Sequence, residues 1–302
     1  MPAIKQILFF TLLLFFGRDC VSQIDTLNRK RLTTVVVGEA VIYTGTMVGL
    51  SQLWYKDVPT TSFHSFDDNK QWLQMDKMGH IVTSYYVGMA GYEVLKWSGV
   101  SEKKAIWYGG SLGFLLESSV EVLDGFSEEW GFSTGDMVAN AGGSALFIAQ
   151  QLVWKEQRVL MKYSFHTTDY VAKRPNVLGS NLSEQLLKDY NGQTYWLSAN
   201  LASFLKDDNN FPKWLNVAVG YGADGMLGGT SNVFETDGIL YDYSSTERTR
   251  QFYLSLDIDL TRIKTKSKLA NVVLGTIGFI KFPFPAIEFN QNGKTQFKGL
   301  YF

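Results

Sequence analysis

Hydrophobic positions change their pattern about halfway along the chain. Between residues 32 and 162 the apolar segments are long and rich in glycine, which is typical of packed helices. After about residue 192 they shorten and begin to alternate with polar residues, which is typical of strands. The polar stretch between the two predicts a connector. We therefore expect an α+β protein with a helical domain at 30–162, a connector at 163–191 and a smaller antiparallel β-containing domain at 192–302.

About four helices are expected in the first half, as a membrane-associated bundle. They are predicted at Thr33–Tyr55, Gln74–Trp97, Glu102–Leu123 and Thr134–Lys162. Gly45 and Gly49 lie four residues apart in the first of them. Gly109 and Gly113 repeat this spacing in the third. Small residues at this spacing let helix backbones approach closely, in a soluble bundle as well as in a membrane.

Two segments of the second half alternate most regularly. In Phe252–Thr261 five apolar residues alternate with Tyr, Ser, Asp and Thr, which predicts a half-buried strand. Leu215–Gly222 alternates in the same way, and its second face consists mainly of small residues, which indicates that another backbone approaches it. Tyr195–Leu205 and Phe297–Phe302 are weaker strand predictions. We expect these strands to form an antiparallel sheet.

The N-terminus carries a targeting signal. Lys5 precedes an apolar run at Ile7–Phe16, which is too short to span a bilayer but fits a secretory signal peptide. We expect residues 1–23 to be this signal peptide, with cleavage near Gln23. Cys20 is the only cysteine, and the residues before it do not resemble a lipidation motif. The mature chain would then contain no disulfide and no thiolate metal site.

Composition and charge exclude several classes of protein. Hydrophobic residues make up 45% of the chain and charged residues 19%, and the formal net charge is −1. Disordered chains, coiled coils and basic nucleic-acid binders need a more polar or sign-biased composition. We therefore expect a packed or membrane-associated protein with no nucleic-acid partner.

The helical segments lie near the lower length limit for crossing a bilayer. Each is roughly 17 to 22 residues long, but each contains an ionisable or amide group: Glu39, Glu93, Glu117 or Asn140. These groups favour a buried bundle or one at a membrane surface. Tryptophans lie near the segment ends, as in interfacial aromatic belts. We expect membrane lipids to be partners and leave open whether any helix spans a membrane.

Candidate chemistry is concentrated in three of the predicted helices. Three pairs of polar residues lie four apart and therefore share a helix face: Asp76 with His80, Glu117 with Glu121, and Asp136 with Asn140. If these faces converge, they enclose an acid-rich cluster with one histidine and with Lys77 at its mouth. Buried charges are costly unless they are paired, so such a cluster indicates a specific role. The residues identify no cofactor, and we assign no metal from them.

The motif segments resemble two known families. DKMGH at 76–80, Glu117 on the next helix and STGDMVANAGG at 133–143 resemble the VanZ-like pattern of small membrane proteins. They are more similar still to the YfiM-like predicted periplasmic lipoproteins of Gram-negative envelopes, a family of unknown function, over about residues 30–155. The resemblance implies an envelope location and a compact helical domain. It implies no reaction, and it marks as motif positions Asp76, Lys77, His80, Glu117, Asp136 and Asn140.

Three interpretations of the cluster remain open. In a structural network, His80 would pair with Asp76, and Asp136 would cap or orient the last helix with Asn140 bridging. Glu117 would then pair with Lys77. In a binding site, the carboxylates and the imidazole would hold a lipid headgroup or a cation. In an enzyme, His80 would act as general acid or base beside Asp76 and Glu117.

The leading hypothesis is an exported cell-envelope protein in the periplasm, associated with the outer membrane or another envelope membrane. Its expected role is structural or lipid-interacting. The alternative hypothesis is an enzyme that acts on a lipid-linked or phosphorylated envelope substrate.

Overall fold

The protein is described by a computed structural model that covers residues 26–56, 58–206, 210–236 and 238–301. They form two compact units, a helical unit at 26–69 and 77–157 and a sheet unit at 70–76 and 158–301. The mixture of helices and antiparallel strands confirms the α+β class. The expected signal peptide, with Cys20, lies outside the described residues.

The helical segments of residues 26–157 form five α-helices in the described part of the chain. They are α1 (Arg29–Leu50), α2 (Met75–Trp97), α3 (Glu102–Gly110), α4 (Leu112–Asp124) and α5 (Thr134–Trp154). A π-helical turn at Ser51–Tyr55 extends α1. The expected four-helix bundle is therefore not confirmed.

The single helix predicted at Glu102–Leu123 is wrong. It divides at Ser111 into α3 and α4. Gly109 and Gly110 precede this residue, and glycine and serine are poor helix formers, so the break falls where helix propensity is lowest.

The prediction that the last helix continues to Lys162 is also wrong. The helix α5 ends at Trp154, and Lys155 takes a left-handed conformation with φ 56° that stops it. Residues 159–165 then form a strand in which Lys162 points into the sheet unit and is completely buried. Lysine is almost never fully buried without a partner, so a strand with Lys162 facing inward could not be expected from the local pattern.

The packing of α2 against α3 and α4 depends on glycine. A Cβ atom at Gly113 would collide with the backbone of Ser84, and one at Gly109 with the backbone of Tyr92. Helices whose backbones touch in this way tolerate no side chain at the contact. The glycine spacing read from the sequence therefore marks a real helix contact in this case.

The sheet unit contains eight strands among its described residues. They are β1 (Val159–Phe165), β2 (Gln193–Asn200), β3 (Leu215–Asp224), β4 (Val233–Thr236), β5 (Ile239–Asp242), β6 (Thr249–Ile258), β7 (Phe284–Asn290) and β8 (Thr295–Tyr301). Six of them form one antiparallel sheet in the order β1-β2-β3-β6-β7-β8, while β4 and β5 form a separate hairpin. Three short helices complete the unit: α6 (Pro175–Leu178), α7 (Leu182–Lys188) and α8 (Lys268–Thr276).

The four predicted strands are present, with shifted bounds, as β2, β3, β6 and β8. The pattern does not predict β1, β4, β5 or β7: residues 159–165 fall at the end of the predicted helix and the start of the predicted connector, and Pro285 makes β7 a poor strand candidate by sequence. The segment expected to be a connector at 163–191 instead contains the end of β1 together with α6 and α7.

A buried ion pair lies on the inner face of the sheet. Lys162 of β1 contacts Asp257 of β6 at 2.7 Å, and both side chains are completely buried. Ser198 also donates to Asp257, at 2.6 Å. Two strands separate β1 from β6, and three strand spacings of a flat sheet would hold them roughly 14 Å apart. The ion pair therefore requires a strongly curved sheet.

The opposite face of the sheet is apolar and exposed. One row of directly paired residues crosses five strands and contains no polar side chain: Leu197, Val219, Leu254, Ile287 and Phe297. Each of these side chains is at least 38% exposed. In a sheet with one face in water, the apolar face usually covers the core and the polar face is exposed. Here the polar face is buried and the apolar face is exposed.

We expect Gly113→Ala to destabilise the helical unit, because its methyl group would force α4 away from α2. Gly45→Ala is the control, since a Cβ there meets no atom of the described chain within 4 Å. Thermal unfolding followed by circular dichroism should show a clear fall in Tm for Gly113→Ala and none for Gly45→Ala. Equal Tm values for the two variants would contradict the packing argument.

A second prediction concerns Lys281, which is buried beside Asp257 and Lys162. Burial lowers the pKa of Lys281 from its ordinary value of 10.5 to about 8, although Asp257 opposes the shift. Between these two values the unfolded state binds more protons than the folded state, so the free energy of unfolding rises with pH in this window. Below about pH 8 the lysine is charged in both states and its cost is constant.

Denaturant unfolding of the wild type and of Lys281→Met at several pH values checks this prediction. The unfolding free energy of the wild type minus that of the variant should increase from about pH 8 to pH 10. A difference that stays constant over this range would show that the lysine keeps its proton.

Candidate functional site

Three helices converge on the imidazole of His80, which lies on α2. The helix α4 supplies Glu117 and Glu121, and α5 supplies Asp136 and Asn140. The two residues of each pair are four apart and therefore share one helix face. All five side chains are buried. The structure thus brings together the polar faces that the sequence spacing had indicated.

Small residues let these helices approach each other at the level of His80. Gly113 of α4 packs on the backbone of Ser84, one turn after the histidine. Gly143 of α5 packs on the backbone of Ile81, the next residue. Because both contacts are backbone contacts, the side chains one turn away from each glycine are directed at the same ring.

The two nitrogens of His80 have different surroundings. Nδ1 lies 2.9 Å from Oδ1 of Asn140 and 3.2 Å from Oε2 of Glu117. Nε2 lies 3.7 Å from Oε1 of Glu121 and 3.7 Å from Oδ1 of Asp136. Both groups that face Nδ1 are hydrogen-bond acceptors, so the ring donates a proton from Nδ1.

Lys77 and Ser133 fix the carboxylates at one side of the cluster. The ammonium of Lys77 lies 2.6 Å from Asp68 and 2.8 Å from Asp136. Ser133 donates to Asp68 at 2.6 Å and accepts from the backbone N–H of Asp136 at 3.1 Å, as the N-cap of α5. Its own backbone N–H donates to Glu121 at 3.2 Å. These contacts hold the two acids that face Nε2 of the histidine.

The pairings differ from the structural interpretation of the sequence. Glu117 faces His80, and Lys77 contacts Asp68 and Asp136 instead. Asp76 belongs to the sheet unit, where its carboxylate accepts a hydrogen bond from the Tyr190 hydroxyl at 2.9 Å. The role proposed for Asp76 beside His80 stays a prediction.

Sequence reasoning missed Asp68 as a member of the cluster. It lies in the polar segment before α2, and nothing in its neighbourhood distinguishes it from Asp67. Ser133 did carry a signal, because a serine three residues before an acid at the start of an apolar run is typical of a helix N-terminus.

A cavity of about 550 Å³ lies elsewhere in the helical unit. It is lined mainly by apolar residues, among them Leu27, Val36, Leu95 and Tyr108, with Glu39 as an acidic member. None of the residues around His80 lines it. The polar cluster is therefore separate from this cavity.

Comparison with known proteins supports the predicted family. Residues 65–151 match a sequence family described as "Predicted periplasmic lipoprotein (DUF2279)". This segment contains every residue of the cluster, and the match fits an exported protein. It has no bearing on the YfiM-like assignment or on the VanZ-like pattern. No curated protein and no solved structure matches the chain.

We expect Ser133→Ala to lower the unfolding free energy by about 1 kcal/mol or more, because it removes the N-cap of α5 and a partner of Asp68. Ser101→Ala is the matched control: Ser101 occupies the N-cap position of α3, but its side chain makes no capping hydrogen bond. Denaturant unfolding of both variants measures the difference. A loss as large for Ser101→Ala as for Ser133→Ala would refute a specific role of Ser133.

Proposed function

We propose that this is an exported cell-envelope protein that associates with a lipid bilayer through the apolar outer face of its sheet. The observation that carries the proposal is the cross-strand row of exposed apolar residues. Strands that alternate apolar outward and polar inward are typical of sheets that face lipid. A face this apolar is unfavourable in water, where large exposed patches usually mark interaction surfaces.

The neighbouring helix α8 provides a second apolar surface with positive charge at its start. Three exposed residues lie four apart along one side of this helix and the turn after it: Leu269, Val273 and Ile277. Three exposed lysines precede or begin the helix: Lys264, Lys266 and Lys268. Apolar residues that enter the interface and lysines that meet anionic headgroups are the two elements of interfacial helices.

The helical unit also exposes apolar residues. Val36, Val37 and Val41 of α1 are each more than half exposed. By length and composition, α1 is the one described helix that suffices to cross a membrane, but a core helix or a signal sequence would pass the same test. The membrane proposal therefore rests on the outer face of the sheet more than on α1. The periplasmic description of the matched family is compatible with the outer membrane or another envelope membrane.

We expect the double variant Val219→Glu and Leu254→Glu to lose membrane binding. Both residues lie in the exposed row on paired strands, so the charges face outward and would have to enter the lipid. Flotation of the purified full-length mature protein with vesicles of phosphatidylethanolamine and phosphatidylglycerol measures the bound fraction. It should fall severalfold in this variant.

The control is the double variant Ser245→Glu and Asn292→Glu, which adds the same charge at exposed turn positions of the same unit. It should float like the wild type. If both double variants float equally, the outer face of the sheet does not contact lipid.

The alternative function is an enzyme acting on a lipid-linked or phosphorylated envelope substrate. The contact that favours it is the one between Nδ1 of His80 and Glu117 at 3.2 Å, which resembles an oriented acid–base pair. However, His80 is only 6% exposed, which disfavours direct contact between its ring and a substrate. The geometry supports the lipid-interacting role better.

A further inference from the structure

The cavity of the helical unit lies between the first half of α1 and the start of α3. On α1, three lining residues are spaced four and three apart and therefore share one helix face: Leu32, Val36 and Glu39. On α3, Lys104 and Tyr108 line it from positions four apart. Because Val36, Lys104 and Tyr108 are exposed, the cavity is open to its surroundings and is not a closed void in the core.

Contacts before and after the lining residues hold α1 in place. The backbone N–H of Asn28, the N-cap of α1, donates to the carbonyl of Ser98 at 2.9 Å. Further along the helix, the Tyr43 hydroxyl donates to the Ser119 hydroxyl at 2.8 Å. Since α1 is fixed on both sides of the lining segment, the fold itself maintains the walls of the cavity.

Most of the cavity wall is aliphatic. Its volume of about 550 Å³ falls within the range of roughly 300–1,000 Å³ that is typical of small-ligand sites. Apolar atoms that line an empty cavity lose dispersion contacts, so an apolar group that fills it is stabilised. These walls fit an aliphatic chain better than a sugar or a nucleotide. The aliphatic lining residues are Leu27, Leu32, Val36, Leu95, Val100 and Leu112.

The carboxyl group of Glu39 is an unsatisfied polar group in this wall. Its Oε1 atom is buried and has no hydrogen-bond partner among the described residues. Buried polar atoms are nearly always paired, so this oxygen calls for a donor from a ligand. Burial also raises the pKa of the Glu39 carboxyl, which means that its negative charge is unfavourable without compensation. An ammonium group in the cavity would supply both the donor and the positive charge.

Lys104 lines the same cavity with the opposite charge. Within the described chain, neither Glu39 nor Lys104 forms an ion pair, with each other or with a third residue. An acid and a base that line one cavity without meeting can both be paired by a single zwitterion, whose cation faces the acid and whose anion faces the base. Since Lys104 is exposed, the anionic group would lie at the open side of the cavity.

We propose that this cavity binds one aliphatic chain of a phospholipid whose headgroup carries a primary ammonium, as in phosphatidylethanolamine. Glu39 accepts a hydrogen bond from the ammonium, Lys104 contacts the phosphate, and the aliphatic walls enclose the chain. The site belongs to the helical unit, so the proposal does not depend on lipid contact by the outer face of the sheet.

Native mass spectrometry of the full-length mature protein in a mild non-ionic detergent tests the proposal. The probes are lysophosphatidylethanolamine, lysophosphatidylcholine and lysophosphatidylglycerol, each with the same palmitoyl chain. Wild type should bind one equivalent of the ethanolamine lipid about tenfold more tightly than the other two, because choline has no N–H to donate and glycerol has no positive charge. Absence of binding, or equal binding of the three lipids, would overturn the proposal.

Two substitutions test the headgroup contacts. Glu39→Gln should remove the preference for the ethanolamine lipid, because the charge that pairs with the ammonium is lost. Lys104→Met should weaken binding of all three lipids severalfold, because each contains a phosphate. Lys103→Met and Glu128→Gln are the controls, since both side chains are exposed and neither lines the cavity. A preference that survives in Glu39→Gln would overturn the proposal.

A third substitution tests the chain-binding walls. Val36→Trp places a larger side chain in the cavity and should weaken binding of every lysolipid at least about tenfold. Val37→Trp is the matched control, because Val37 is exposed at the next position of α1 and does not line the cavity. Circular dichroism of both lipid-free variants checks that they are folded. Equal lipid binding by the two variants would place the chain outside the cavity.

A photoreactive lysophosphatidylethanolamine with a diazirine in its chain locates the site without any variant. After irradiation, the label on the wild type should map to peptides from residues 27–39 and 95–112, which contain the cavity wall. Label confined to the sheet unit would overturn the assignment.

Diacyl phosphatidylethanolamine, added as a competitor, distinguishes the two sources of such a chain. Displacement of the labelled lipid supports a bilayer lipid as the ligand. Labelling that stays unchanged supports a single-chain lipid, and both results agree with a site for one chain and an ammonium headgroup.

Discussion

Burial of charged side chains is the constraint on which both units depend. Lys77 meets Asp136 inside the helical unit, and Lys162 meets Asp257 inside the sheet unit. A buried charge that loses its partner costs about 3–5 kcal/mol, so only arrangements that bring the partners together are stable. In the sheet, the pairing of Lys162 with Asp257 fixes the curvature that brings β1 close to β6. In the helical unit it fixes the faces on which α2, α4 and α5 meet.

Because polar residues occupy much of the interior of both units, many apolar residues lie on the surface. Among the described residues, roughly as many polar as apolar side chains are buried, while many large apolar side chains are exposed. With 45% hydrophobic residues in the chain, a polar interior necessarily directs apolar residues outward. In water this arrangement forfeits much of the hydrophobic stabilisation of folding. Beside acyl chains it carries no such loss, which makes the membrane proposal a consequence of the same constraint.

Helix spacing predicted much of the candidate site, because its chemistry is periodic. His80, Glu117 and Asp136 could be assigned to helix faces from a spacing of four alone. Which partner each one takes depended on tertiary contacts that no local pattern encodes, as Asp68 shows. Period-two alternation likewise predicted β3 and β6, whereas β1 was hidden by a lysine whose partners, the carboxylate of Asp257 and the carbonyl of Ile258, lie about 95 residues later.

The backbone of the segment that leads into α2 is strained and is held in place by specific contacts. Three successive residues, Trp72, Leu73 and Gln74, have positive φ, which costs roughly 1–2 kcal/mol for each residue with a side chain. Such a conformation persists only where its surroundings impose it. Here the backbone N–H of Trp72 donates to Gly229 at 2.7 Å, and Arg250 donates to the Gln74 side chain at 2.7 Å. Both contacts lie within the sheet unit, so the strain of this segment is imposed and offset there.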